Sequence, residues 1–502
     1  MAMADLDETR PSGGPVADDV LPASRSRRRP TAITVPSPDW PWSRWFLAVA
    51  IPFGLFFVFA VPPTQGIDES AHFLRAWLVS QGDLVARTQV DPASGTVHAG
   101  GQIDQCVMDY VYGFQARAAQ PDDFEVADFW FDTPDCEPRD RGWEIADAAS
   151  NYAPVAYLPQ VVAIGSTRAV GLPLPISFFA GRLAGLAAYL ALVWWALRLA
   201  PGGRAVMFVV GLLPTSIMSA ATYNADGLAI GLGVLAVALT GSLALAERVD
   251  RWRLAALAAT LVAVGLIKQP YLVLAGLPLA IPDAAFGSRA RAWVTKGAVG
   301  AVVVAASLGW FVLGSPEVSP AVFRADVDHG RQLSYVLHHP LDFVATVART
   351  VAAAGPQSYT LRGLVGSFGM GRYVGRSNDV VAPLIAVVAV AVLLTAAAGR
   401  DLGAPRALAT RRRLTAVVVP LAVAVAGFFA VYGSMYLIWA PVGAPYVSDV
   451  QGRYFVPLLC VPTLALVLRR HEAQPDRSSP WIVAGVVAVL AFAVGKSFLV
   501  FY

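Results

Sequence analysis

A succession of long apolar runs separated by short polar stretches constrains this chain more than any other feature. Runs of membrane length occupy 44–62, 175–199, 205–221, 226–246, 254–270, 297–315, 381–399, 414–433, 453–469 and 481–500. Each is about long enough to cross a hydrocarbon core of roughly 30 Å as a helix. A shorter run, 271–282, follows Lys268-Gln269-Pro270 and is expected to form a short span or half-helix. The pattern predicts an all-α polytopic membrane protein with about eleven transmembrane helices. Composition agrees: 15% of residues are charged and the mean hydropathy is +0.55, where soluble domains carry about a quarter charged residues.

The arginines give the expected orientation. Residues 1–43 are rich in Pro, Ser, Asp and Arg, with a basic cluster at Arg25, Arg27, Arg28 and Arg29. They read as a disordered cytoplasmic tail before an uncleaved first span, leaving 44–502 as the membrane domain. Threading from there puts the basic loops (Arg198/Arg204, Arg248/Arg251/Arg253, Arg289/Arg291/Lys296, Arg406/Arg411–Arg413 and Arg469/Arg470/Arg477) on the cytoplasmic side, as the positive-inside rule asks. The segments 63–174, 316–380 and 434–452 then lie outside, the first of them strongly acidic. A multi-pass plasma-membrane protein follows, N-terminus cytoplasmic and C-terminus outside. A net charge of +3, with no basic stripe carrying interleaved aromatics, excludes a nucleic-acid partner.

Three cysteines exclude a disulfide scaffold, and none has CxxC spacing for zinc. Cys106 and Cys136 share the first outer segment, where an oxidising setting favours a bridge between them worth about 3–4 kcal/mol. Two free thiols are the alternative.

The outer segments carry the candidate chemistry. The first opens Pro62-Pro63-Thr64-Gln65-Gly66-Ile67-Asp68-Glu69-Ser70-Ala71-His72, then continues with apolar residues at helical spacing. This predicts an amphipathic helix lying on the membrane face. Asp68 and Glu69 fall at its N-terminus, where the helix dipole favours carboxylates, and His72 is one turn from Asp68. Capping alone explains Asp68 but leaves Glu69 and His72 without a reason. Asp226, in Tyr223-Asn224-Ala225-Asp226-Gly227, faces the same surface as a second acid or caps the helix that follows. Lys268 sits in an apolar run before a helix-breaking Gln-Pro; it either meets a phosphate or snorkels to the interface. Arg453, in Gln451-Gly452-Arg453-Tyr454, suits a phosphate or an aromatic-belt anchor. His338-His339 cannot both face one way on a helix, which argues against a metal there.

These residues resemble a known pattern. A first span followed by an outward Asp-Glu and an amphipathic helix looks like the opening of the GT-C superfamily of membrane glycosyltransferases. Asn151-Tyr152-Ala153-Pro154, with the later Phe179-Ala180-Gly181-Arg182, resembles that superfamily's entry to its second span. Within it, the chain is most similar to a bacterial polytopic membrane family of unknown function, of the DUF2142 kind. The likeness lies in Pro-Pro-x-x-x-x-Asp-Glu-x-x-His, Asn-x-Asp-Gly, Gly-Ser-Phe-Gly and Gln-Gly-Arg-Tyr-Phe-x-Pro.

The resemblance implies an enzyme that moves a sugar from a polyprenyl-phosphate donor to a cell-envelope glycan or lipid acceptor at the outer face. Asp68 would be the base or metal-proximal acid, supported by Glu69, His72 and Asp226. Asn224, Lys268, Gln451, Arg453 and Tyr454 would bind substrate, with Lys268 and Arg453 on the lipid phosphate. A divalent cation (Mg or Mn) near Asp68 and Glu69 is the only cofactor implied, and no complete hard-cation site is visible. A transporter or flippase of a lipid-linked or small solute and a non-catalytic envelope-assembly scaffold are the competing readings.

Overall fold

The computed structural model describes residues 41–118, 125–131, 141–314, 316, 318, 326–354, 359–366, 383–399, 410–469 and 478–502. They belong to one compact unit, Pro38–Tyr502. The N-terminal tail, Cys136 and the stretch from Ser367 to Arg372 lie outside the described residues.

Helix α1 (Trp42–Ala60) ends because Val61 turns to extended backbone and Pro62-Pro63 cannot continue a helix. The segment between the first two spans follows as α2 (Glu69–Ser80), β1 (Arg87–Val90), β2 (Val97–Asp104), α3 (Gln105–Ala118), α4 (Asp128–Phe131), β3 (Arg141–Ile145) and α5 (Leu158–Ala169). The three strands form an antiparallel sheet in the order β1-β2-β3, with Val90 opposite Val97 and Gln102 opposite Trp143. This sheet departs from the all-α expectation. Its strands are short, the middle one holds Gly100-Gly101, and no period-two apolar alternation announces them. Helix α2 also differs from the expected surface helix. It packs against α5 and β2, and His72 through Val79 are buried on every face. Its apolar residues meet protein rather than lipid.

The chain then runs through α6 (Leu174–Leu199), α7 (Arg204–Gly211), α8 (Pro214–Ala221), α9 (Ala225–Ala244) and α10 (Arg251–Ile267) to α11 (Arg289–Gly314). Beyond it come α12 (His329–His338), α13 (Pro340–Ala353), α14 (Tyr359–Val365), α15 (Pro383–Ala398), α16 (Thr410–Trp439), α17 (Val461–Arg469) and α18 (Ser479–Phe501). Among the described residues seven helices are long and apolar enough to span, or eight if α7 and α8, bent by 56° at Pro214, count as one. The described residues thus hold fewer full-length spans than the expected eleven. The runs at 254–270, 271–282 and 381–399 form the 17-residue α10, a 12-residue 3₁₀ stretch at Gln269–Ala280 and the 16-residue α15. Pro270 ends α10 with Lys268 in extended backbone, which is why one apolar stretch yields two short elements.

Helix α9 is the centre of the bundle, with 89% of its membrane window buried. It packs on α6, α8, α10, α17 and the 3₁₀ turn at Gly452–Leu458. Glycine makes this approach possible: a Cβ on Gly227 would lie 2.7 Å from Ala220 Cα, and one on Gly233 would lie 2.5 Å from the Pro457 carbonyl oxygen. Small residues at helix contacts are how membrane helices reach close packing.

Candidate active site

The turn from Val61 to Asp68 is fixed by a charge inside the bundle. Arg182, on α6, has no solvent exposure. It donates to the carbonyls of Val58 (2.8 Å), Val61 (2.7 Å) and Pro62 (3.1 Å), and grips Glu69 through Nε (2.8 Å) and Nη2 (2.6 Å). Its guanidinium also lies over the Phe178 ring at 4.7 Å. Glu69, itself fully buried, accepts two more bonds, from the amides of Gly66 and Tyr223 at 2.9 Å each. Each Glu69 oxygen is thereby held by one Arg182 N–H and one backbone N–H. Arg182 is not among the site residues expected from sequence, although it interrupts an apolar run, the signal that a charge at membrane depth is employed.

This clamp joins the turn after α1 to the turn before α9. Asn224 Nδ2 donates to the Ile67 carbonyl at 2.9 Å. Asn224 Oδ1 caps α9 by accepting from the Asp226 amide at 2.7 Å. The cap is therefore Asn224 rather than Asp226, and the Asp226 carboxylate is free for other partners. Asp68 likewise stands at the N-cap of α2 without a capping hydrogen bond, in the left-handed region at φ 55°. Aspartate tolerates that conformation better than most residues, and here it turns the side chain away from its own helix.

Both carboxylates go to the same arginine. Arg453 Nη2 binds Asp68 Oδ2, its Nε lies 3.1 Å from Asp226 Oδ2, and Asp226 Oδ1 pairs with Lys268 Nζ. The result is an alternating chain, Asp68–Arg453–Asp226–Lys268, with two acids and two bases. Exposure grades along it: the Asp68 side chain is 37% exposed, Arg453 3%, Asp226 1% and Lys268 12%. Asp68 is the member that meets solvent. Tyr454 and Tyr152 wall the chain, their rings 4.2 and 5.7 Å from Lys268 Nζ. Arg453 Nη1 is buried without a hydrogen-bond partner, as is Gln451 Oε1. A buried guanidinium N–H without an acceptor carries a desolvation cost that an incoming oxyanion would remove. Arg453 Nη2 also donates to the Tyr454 hydroxyl at 3.3 Å.

His72 lies beside this chain with Nδ1 2.5 Å from the Tyr157 hydroxyl. Burial of the imidazole dominates, and with Asp68 and Asp226 opposed by Lys268 and Arg453 its pKa falls to about 4, so it is neutral at neutral pH. Burial alone would raise the Asp68 carboxyl, but Arg453, His72 and Lys268 hold it below the usual carboxylate value. Two separate acid windows follow. Between about 6.5 and about 4 the unfolded chain binds a proton at His72 that the folded chain refuses, so stability falls as pH falls through that range. The Asp68 contribution is present above the ordinary carboxylate pKa and is lost only at more acid pH, through its depressed folded value. His72→Gln should flatten the decline in thermal stability between pH 7.5 and 4.5, measured on detergent-solubilised protein. An unchanged slope would remove His72 as its source.

The carboxylates do not fit a cation held by Asp68 and Glu69. Every Glu69 oxygen is taken by N–H donors, Arg453 occupies Asp68, and no group of three or more His, Cys, Asp or Glu is gathered among the described residues. His339 is exposed, 3.8 Å from Asp342. Cys106 is in a disulfide, Cys460 is free and buried, and Cys136, its expected partner, lies outside the described residues.

Fold and site together define a multi-pass helical membrane protein whose chain of buried charges sits where the segment between α1 and α6 meets one end of the spans. The chain belongs to the family described as "Predicted membrane protein (DUF2142)", whose model matches residues 52–462. No curated protein and no solved structure matches it.

Proposed function

We propose that this protein is a glycosyltransferase of GT-C type, moving a sugar from a polyprenyl-phosphate donor to a cell-envelope acceptor at the outer face of the plasma membrane. The observation that carries the reading is Arg453: it is buried, bridges two carboxylates, and keeps Nη1 without an acceptor. That unfilled donor, beside Lys268 with one of its three N–H groups spent on Asp226, suits a phosphate oxygen. The solvent-facing Asp68 carboxylate is the base. The acceptor hydroxyl oxygen attacks the anomeric carbon from the side opposite the phosphate, and its proton passes to Asp68. The bond from the anomeric carbon to the phosphate oxygen breaks, and the polyprenyl phosphate leaves with the electron pair onto Arg453 and Lys268. Inversion at the anomeric carbon results. Glu69 is a positioning residue in this scheme, since its oxygens are filled.

The orientation is part of the proposal. The basic ends of α6, α7, α10 and α11 lie away from the charged chain, and the C-terminal Tyr502 donates to the Ala60 carbonyl at the chain's own end. The positive-inside rule then puts the pocket outside. A transporter would place its ionisable residues at mid-membrane, whereas this chain of charges lies at one end of the spans.

Transfer of radiolabelled sugar from purified polyprenyl-phosphate donors, in membranes holding equal amounts of wild type or Asp68→Asn, tests the reading. Wild type should transfer, and Asp68→Asn should lose roughly a hundredfold or more. Full activity in the variant would end the role proposed for Asp68. Absence of transfer by wild type across donors, beside donor-independent movement of lipid-linked sugar, would favour transport.

A further inference from the structure

A cavity with a mixed charged and apolar lining lies at the far end of the spans, and nothing in the proposed transfer uses it. It encloses about 780 Å³ between the end of the 3₁₀ stretch, the start of α11 and the start of α16. Helix α11 ties the two ends together: Trp310, near its C-terminus, donates to the Asn151 carbonyl beside the charged pocket at 2.8 Å. The cavity adjoins Arg289 at its other end, about 30 Å away along the helix. That separation is one hydrocarbon thickness.

The lining is divided by chemistry. One part is charged: Lys296, with its side chain 4% exposed, binds Asp283 at 2.6 Å. Arg289 lines the same cavity and makes no ion pair among the described residues. Among the described residues one carboxylate thus faces two cations, leaving one positive charge unmatched. The other part is apolar, with Leu279, Ile281, Pro282 and Val419 in the wall and Trp293 over the charged group, its ring 5.8 Å from Lys296 Nζ. Trp293 and Leu279 are 54% and 39% exposed, and the neighbouring Val294 is 71% exposed. On a spanning helix such residues face acyl chains rather than water. The Gly287-Ser288 backbone at the N-terminus of the 26-residue α11 adds amide donors and a partial positive charge.

We propose that this cavity binds one anionic phospholipid of the leaflet opposite the charged pocket. Its phosphate meets Arg289 and Lys296, and an acyl chain lies along Leu279, Trp293 and Val419. The apolar wall, continuous with an exposed apolar helix face, commits the site to a lipid rather than to a free anion. The unmatched cation commits it to an anionic headgroup over a zwitterionic one.

The test uses full-length protein in detergent, delipidated and titrated with phosphatidylglycerol, phosphatidylethanolamine or inorganic phosphate, with retained ligand counted by native mass spectrometry. Wild type should retain one phosphatidylglycerol with about fivefold preference over phosphatidylethanolamine, the size expected of one interfacial cation. Arg289→Gln, at an exposed position, should erase the preference, and Lys296→Gln should do the same if it folds. Trp293→Ala should weaken retention of both lipids. Equal retention of the two lipids by wild type would overturn the proposal, as would a preference that survives Arg289→Gln. Displacement of the lipid by millimolar inorganic phosphate would make the ligand a free anion and overturn the lipid assignment. Sugar transfer does not enter any of these readouts.

Discussion

Arg182→Gln should destabilise the protein by about 3–5 kcal/mol, the cost of removing one partner from a buried ion pair. The expectation follows from completeness. Glu69 and Arg182 are both fully buried, so a lone Glu69 carboxylate has no route to water. Three backbone carbonyls, at Val58, Val61 and Pro62, lose donors in the same step. Lysine cannot rescue the change, because a single ammonium cannot grip a carboxylate with two N–H bonds while holding three carbonyls. Glu69→Gln is predicted to be milder than Arg182→Gln, since an amide oxygen still accepts from a backbone N–H. The double variant Glu69→Gln/Arg182→Gln should recover part of the loss by removing the buried charge, and the orphaned carbonyls set the limit of recovery. Scanning fluorimetry on detergent-solubilised protein, with the monomer fraction by size exclusion, reads all three. An Arg182→Gln variant melting within about 2 °C of wild type would show that the turn from Val61 to Asp68 is held by something else.

That clamp also explains which parts of the site were legible in sequence. Asp68, His72, Asp226, Lys268 and Arg453 could be singled out because each is an ionisable residue at the mouth of an apolar run, where charge is costly unless employed. Their pairing was not legible. Arg453 meets Asp68 across 385 positions and Lys268 meets Asp226 across 42, and no local periodicity encodes such contacts. Glu69 reads as a second acid of the site until its oxygens are traced to Arg182 and two backbone amides. Asp226 reads equally as a cap until Asn224 is seen to take that role. Tyr152 and Tyr157 carry no sequence signal for their place beside Lys268 and His72, because aromatics are common near membrane interfaces.

The fold divides the same way. Helix α9 and the long spans follow from hydropathy alone. The sheet β1-β2-β3 does not, because β3 joins β2 from 37 positions on and its strand is short. Helix α2 is amphipathic in sequence but interior in fact. A helical wheel reports that a face is apolar without saying whether lipid or protein covers it.

Arg453→Gln carries the largest expected effect on activity, because three functions meet in that side chain. It fixes Asp68, it fixes Asp226 and its buried Nη1 has no hydrogen-bond partner among the described residues. Removing it leaves two carboxylates sharing Lys268 and deletes a donor aimed at the leaving phosphate. Loss of one such donor alone costs about a hundred- to a thousandfold in other enzymes. Sugar transfer should therefore fall by about a thousandfold or more in Arg453→Gln. Arg453→Lys should fall by about a hundredfold, since an ammonium reaches one carboxylate and leaves the other unbridged. Residues acting as one unit are not additive, so Asp68→Asn/Arg453→Gln should be no slower than the slower single variant. Steady-state transfer at saturating acceptor, normalised to folded protein, separates these outcomes. Wild-type-like transfer by Arg453→Gln would dissolve the Asp68–Arg453–Asp226–Lys268 chain as machinery and leave it a structural ion network. Additive losses in the double variant would mean that Asp68 and Arg453 act independently, with Arg453 serving the phosphate alone.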